Sequence, residues 1–153
     1  MMKRILITGA NRGIGLALVE KVLEYSEQNF VYLGSRSLGR GEAAARKMVS
    51  GNPEWKNRLQ VIQLDVADPA SVETAAEQVR STLDPGQSLY GLVNNAGIGY
   101  PDSDLREVLE VNVYGMKRVI ESFLPVLESP VVIPSHEFVN LILGFFECID
   151  RNL

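Results

Sequence analysis

The stretch "ILITGANRGIGLALVE", residues 5–20, constrains the fold more than any other part of the chain. An apolar run leads into a glycine-rich turn, and the turn leads into residues of helical periodicity. The turn reads Thr8-Gly9-Ala10-Asn11-Arg12-Gly13-Ile14-Gly15. Gly9 permits a tight turn off a strand. Gly13 lets the backbone approach a pyrophosphate, and Gly15 lets the helix sit close to the sheet. The free N–H groups at the start of the helix, with its dipole behind them, suit an anion. Glycine spacing alone is a weak signal. A strand before it and a helix after it supply the context that gives it meaning.

The rest of the chain repeats the alternation of apolar runs and helical patterns. That pattern predicts an α/β fold with βαβ units around a parallel sheet. Strands are expected at 4–8, 30–34, 59–64 and 89–93. The first helix begins near Gly13, with Ile14, Ala17, Leu18 and Val22 on one face. A second helix is expected over 41–49, broken by "SGNPEW" at 50–55. Asp68-Pro69 starts the third, Asp as N-cap and Pro in the first turn, with Val72, Ala75, Ala76 and Val79 facing inward. One long helix is expected over 104–127, bent or ended by Pro125. Residues 1–128 are therefore expected to form a dinucleotide-binding Rossmann-like unit, a doubly wound parallel sheet of about four to five strands. Residues 129–153 form a divergent apolar tail. Its segment "SHEFVNLILGFFECIDRNL" is apolar almost all round, so periodicity fits a helix capped at Ser135 or a strand over 138–143, with helix slightly preferred.

Composition narrows the class of function. A net charge of −4 leaves no basic footprint for nucleic acid. The single cysteine, Cys148, excludes an intrachain disulfide framework and fits a reducing compartment. "MMKRILI" is too short in its apolar part for a signal peptide. No window holds the ~18 consecutive apolar residues of a membrane span. The expected compartment is the cytoplasm.

The spacing TGxxxGxG resembles the short-chain dehydrogenase/reductase family, and further matches follow in the family's order. "LDV" at 64–66 ends the third strand, "NNAG" at 94–97 ends the fourth, and "VNVYG" at 111–115 lies on the long helix. The resemblance implies that Asp65 and Val66 flank the adenine. It implies that Asn94 steadies the sheet while Ala96 and Gly97 lie by the cofactor's ribose. Asn112 corresponds to one member of the family's catalytic tetrad, on a helix that lies in the family's dimer interface. Within the family, "ITGANRGIG", "SR" and "VNNAGI" look most like the carbonyl reductases that use NADPH.

The choice of nicotinamide cofactor rests on two arginines. NAD users commonly place an acid after the second strand, where it binds the ribose 2′-OH. This chain has Ser35-Arg36 there, and Arg12 lies inside the glycine loop. Two guanidinium groups suit a 2′-phosphate, through charge-assisted, bidentate contacts. The expected cofactor is therefore NADP(H), held by Gly9, Asn11, Arg12, Gly13, Ile14, Gly15, Arg36, Asp65, Val66, Asn94, Ala96 and Gly97.

The family's chemistry uses a Tyr-x-x-x-Lys pair, in which lysine lowers the pKa of the phenol and holds the nicotinamide ribose. Four residues beyond the five tyrosines stand Asn29, Arg36, Asn94, Asp104 and Arg118, and none is lysine. Tyr114 has Lys117 three residues on, in the wrong motif for that role. Ser135 fits no register of the family's serine, and His136 has no motif that would make it a base. The expectation is a C-terminally truncated family member, with Asn112 as a partial tetrad only. Three readings follow: an NADPH-dependent carbonyl reductase, a dinucleotide-binding module without turnover, or a regulatory fragment that pairs with a full-length relative. A carbonyl substrate is expected only for a complete relative.

Overall fold

The computed structural model describes residues 2–99 and 104–128. The predicted tail lies outside them, as do Ser135, His136 and Cys148. Four strands form one parallel sheet: β1 (Lys3–Ile7), β2 (Asn29–Ser35), β3 (Leu59–Gln63) and β4 (Gly91–Val93). Their order is β3-β2-β1-β4. Ile5 stands opposite Val31 on one side and Gly91 on the other. The helices are α1 (Gly13–Tyr25), α2 (Leu38–Gly51), α3 (Pro69–Ser81), α4 (Leu105–Leu109) and α5 (Met116–Phe123).

Successive side chains of a strand point to opposite faces, and the strands here are apolar on both. Ile7, Val31 and Leu33 pack in one core with Val19 and Leu23 of α1 and with Trp55. Leu6, Tyr32 and Ile62 pack in the other with α3 and α5, including Phe123. Two buried faces explain why the strand segments read as continuous apolar runs rather than alternating ones. All four apolar residues expected on the inner face of α3 are buried. Asp68 caps that helix by accepting from Ala70 N at 3.0 Å, with Pro69 in the first turn.

Three expectations are corrected. The fully buried residues of α1 are Gly15, Val19 and Leu23; of the expected face, Leu18 and Val22 do pack against this core, while Ala17 is exposed and Ile14 is 76% exposed. The helix is turned somewhat from the expected face, with Gly15 packed against Gly9, Ala10 and the Asn95 amide. Helix α2 starts at Leu38, earlier than expected, because Ser37 caps it by accepting from Arg40 N. The long helix is interrupted. After α4 the chain makes a π-helical turn over Glu110–Gly115 before α5, and a 3-10 turn over Leu124–Val126 carries Pro125.

Crossing from β3 to β4 takes the chain past β1, so the winding reverses between β1 and β4. Beyond the carboxyl ends of those two strands lies the crevice where open α/β sheets bind ligands. The glycine loop leaves β1 there, and the "NNAG" segment leaves β4 there.

Candidate functional site

The loop between β1 and α1 has its two sharp bends at Gly9 (φ 62) and Gly13 (φ 56). A Cβ at Gly9 would lie 2.7 Å from Ala96 Cα, so the loop and the segment after β4 are in direct backbone contact. A Cβ at Gly15 would collide with the Asn95 amide and lie 2.6 Å from Gly9 O. Gly13 differs, because a Cβ there would meet nothing within 4 Å. Its positive φ and open surroundings leave room for a ligand rather than for packing. Asn11 is half-buried within the loop.

The helix behind the loop has an anion-ready end. Its N-cap, Arg12, has extended backbone and no side-chain cap, and its first turn carries no acid. The first N–H groups of a helix lack partners within it, and the dipole makes that end positive. Arg12 and Arg36 are both exposed at the rim. Among the described residues neither guanidinium has a hydrogen-bond or ion-pair partner. An uncapped helix start, a glycine opening onto free space and two unpaired cations together fit a phosphate-bearing dinucleotide.

The loop is held by residues that motif reading passed over. The Thr8 hydroxyl, almost fully buried, accepts from Asn95 N at 3.0 Å and Ala96 N at 2.9 Å. The Asn95 amide donates to Thr8 O at 2.9 Å and Gly9 O at 3.1 Å. Asn95 therefore ties the glycine loop to the segment that follows β4. Both asparagines lie just beyond β4, and it is the second whose side chain reaches the glycine loop. Asn94 Oδ1 is buried and has no hydrogen-bond partner among the described residues. Ala10 N donates to Gly34 O at 2.8 Å, tying the loop to the end of β2 as well.

Two more walls complete the crevice. After β3, Asp65 Oδ1 accepts from Ala67 N, and Asp65 N donates to Ser71 Oγ, both at 3.0 Å. Val66 is buried beside it. After β4, Asn112 grips Ile98 through both amide atoms. Its Nδ2 donates to Ile98 O at 2.8 Å, and its Oδ1 accepts from Ile98 N at 2.9 Å. A Cβ on Gly97 would lie 3.3 Å from Asn112 Oδ1. Asn112 thus braces the segment carrying Ala96 and Gly97. Among the described residues no group of metal-ligating side chains occurs, and no helix is long and apolar enough to cross a membrane.

This strand order, with a glycine loop at its winding reversal, defines an α/β protein of Rossmann type. The model of the short chain dehydrogenase family matches residues 3–131, and the chain belongs to that family. The mitochondrial D-beta-hydroxybutyrate dehydrogenase of Rattus norvegicus is 38% identical over 133 residues, covering 82% of this chain and 37% of the relative. The (+)-neomenthol dehydrogenase of Arabidopsis thaliana is 34% identical, covering 83% of this chain and 51% of its own. Among solved structures, an NADPH-bound carbonyl reductase from chicken fatty liver superposes with a TM-score of 0.66 at 32% identity. That likeness covers 82% of this chain and 48% of the reductase. The menthone neomenthol reductase of Mentha piperita gives a TM-score of 0.72 at 26% identity, over 82% and 56% of the two chains. This chain thus spans about two-fifths to half the length of these curated relatives.

Proposed function

We propose that this chain is the cofactor-holding part of an NADPH-dependent reductase of carbonyl compounds, and that these 153 residues bind the dinucleotide without turning substrate over. The observation that carries the reading is the pair of unpartnered guanidinium groups, Arg12 and Arg36, flanking an uncapped helix start. The chicken carbonyl reductase, described with NADPH bound, supports the same assignment.

In this reading the N–H groups from Gly13 to Gly15 receive the pyrophosphate, beside Asn11 and Ile14. Gly9 lets the loop fit against Ala96. Arg12 and Arg36 take the 2′-phosphate through charge-assisted hydrogen bonds. Asp65 and Val66 form the adenine wall, and Asn94, Ala96 and Gly97 lie along the nicotinamide ribose. When bound, the nicotinamide supplies a hydride for a carbonyl carbon. The proton for the carbonyl oxygen needs a phenol with a cation beside it, because an ordinary tyrosine titrates near ~10. No tyrosine here has a lysine four residues on. Asn112 supports the ribose segment and supplies no proton. The proposed compartment is the cytoplasm.

Calorimetric titration with NADPH and NADH tests the cofactor assignment, and tighter NADH binding would reverse it. Oxidation of NADPH with a panel of ketones and aldehydes tests the rest. Turnover by the purified chain would overturn the claim that it lacks its proton donor.

A second reading, association with another copy or a full-length relative, draws on one surface. Leu105 (66% exposed), Leu109 (36%) and Tyr114 (37%) lie along the helical stretch that holds Asn112. Sedimentation at rising concentration checks it, and a monomer throughout would count against it.

A further inference from the structure

The π-helical turn puts Arg118 where an unbroken α-helix would not. Residues eight apart lie about 80° apart around an α-helix of 3.6 residues per turn. A π turn takes up an extra residue, so such a pair comes onto one face two turns apart. Here the pair is Glu110 and Arg118, joined by Arg118 Nη2 to Glu110 Oε1 at 2.7 Å. The fork's other nitrogen, Nη1, donates to the carbonyl oxygen of Val66 at 2.6 Å. That contact links residues 52 apart in sequence. Gly115 makes the approach possible, since a Cβ there would lie 2.9 Å from Val66 Cγ2 and 3.0 Å from Val66 O. The Arg118 side chain is only 23% exposed, so water competes weakly for these bonds.

We infer that Arg118, oriented by Glu110, is a positioning residue for the adenosine end of the dinucleotide. It fixes the backbone of Val66 where the chain passes from β3 towards α3. This deepens the dinucleotide reading above and rests on it. Beyond β3 the sheet ladder has ended, and the Val66 carbonyl needs another partner to hold its direction. A guanidinium clamped at both nitrogens supplies one with little freedom to move. The same helical stretch holds Ile98 through Asn112, so one rigid element sets the spacing between the adenosine and ribose walls.

The test is a double-mutant cycle on the full chain. Arg118→Met, Glu110→Ala and the pair are titrated calorimetrically with NADPH and with adenosine 2′,5′-bisphosphate, which lacks the nicotinamide half. Arg118→Met is expected to weaken both ligands by the same factor, about tenfold, within the range that coupled sites transmit. Glu110→Ala gives a smaller loss in the same direction. It adds nothing in the Arg118→Met background, because it acts through the arginine. Unchanged affinity in Arg118→Met overturns the inference. So does a larger loss for NADPH than for the fragment, or full additivity in the cycle. A wild-type chain that binds neither ligand overturns the dinucleotide reading itself, whereas wild-type binding with an indifferent Arg118→Met overturns only the role of Arg118.

Discussion

Replacing Thr8 with valine isolates one hydroxyl at the join between the glycine loop and β4. Valine keeps the branched shape and the volume, so the core around it is not emptied. The lost oxygen is the acceptor for two backbone donors, Asn95 N and Ala96 N. Its own donation to Val93 O is long, at 3.4 Å, and Val93 O keeps the bond from Thr8 N at 3.0 Å. The cost therefore comes from the two donors left behind. Each unsatisfied buried donor costs about 1–3 kcal/mol. Both residues are half-buried, which favours the lower part of that range. The expected loss is about 2–4 kcal/mol, set against total stabilities of roughly 5–15 kcal/mol for natural domains. Urea unfolding monitored by circular dichroism reads it directly. Thr8→Ser is the control. It keeps the acceptor, loses one methyl, and should cost only about 0.8 kcal/mol. NADPH affinity should fall in Thr8→Val and hold in Thr8→Ser. A Thr8→Val protein within about 0.5 kcal/mol of wild type would refute the reasoning, since that is the range of inconsequential substitutions. Equal losses in the two variants would assign the effect to the methyl group instead.

The two glycines of the loop should separate by kind of damage. Gly13→Ala meets open space, so its stability cost is the left-handed backbone alone, about 1–2 kcal/mol; dinucleotide affinity, measured by calorimetry, should fall at least tenfold as the methyl enters the ligand's space. Gly15→Ala collides with Asn95 and Gly9 O, so loop packing and binding should fail together, read by near-UV dichroism and titration. Arg36→Asp should weaken NADPH and strengthen NADH, reversing their order in parallel titrations, because an acid there accepts from a ribose 2′-OH. Arg58 Nη1 lies within 3.1–3.2 Å of the carbonyls of Leu23, Ser26 and Asn29, closing the end of α1. Arg58→Met should cost about 1.5–3 kcal/mol in urea unfolding and leave cofactor preference unchanged.

The parts of the fold that read clearly from sequence are those with a local cause. Asp68-Pro69 starts α3 by its own chemistry, and the spacing of Val72, Ala75, Ala76 and Val79 fixes its inner face. The glycine loop reads clearly because its φ values require glycine. Helix α1 is different. Its apolar residues include Ile14, Leu16, Ala17, Leu18, Val19, Val22 and Leu23, enough for more than one candidate face. The packing of Gly15 against Asn95, Gly9 and Ala10, with Val19 and Leu23 in the core, chooses among them. Asn94 and Asn95 are chemically identical neighbours, and only the folded contacts of Asn95 with Thr8 and Gly9 show which one turns to the loop. The π turn leaves no mark in helix propensity. Its one sequence clue is Gly115, and the clue has meaning only once Val66 is known to lie against it. Arg118 looks like a solvated helix charge until that turn brings it to Val66.

The crevice is held by side chains at the places where regular hydrogen bonding stops. Thr8 and Asn95 join the end of β1 to the end of β4, Asn112 holds the chain at Ile98, and Arg118 holds it at Val66. Each of these bonds runs from a side chain to backbone far away in sequence, so none exists in the unfolded chain. A dinucleotide that needs all three walls binds only the folded state. At a hundred times its dissociation constant it would then add about 2.7 kcal/mol to stability. Variants of the walls should lose part of that gain, whereas a variant at Arg58, remote from the crevice, should keep all of it. That contrast separates residues that build the site from residues that only build the fold, and it needs no turnover to be read.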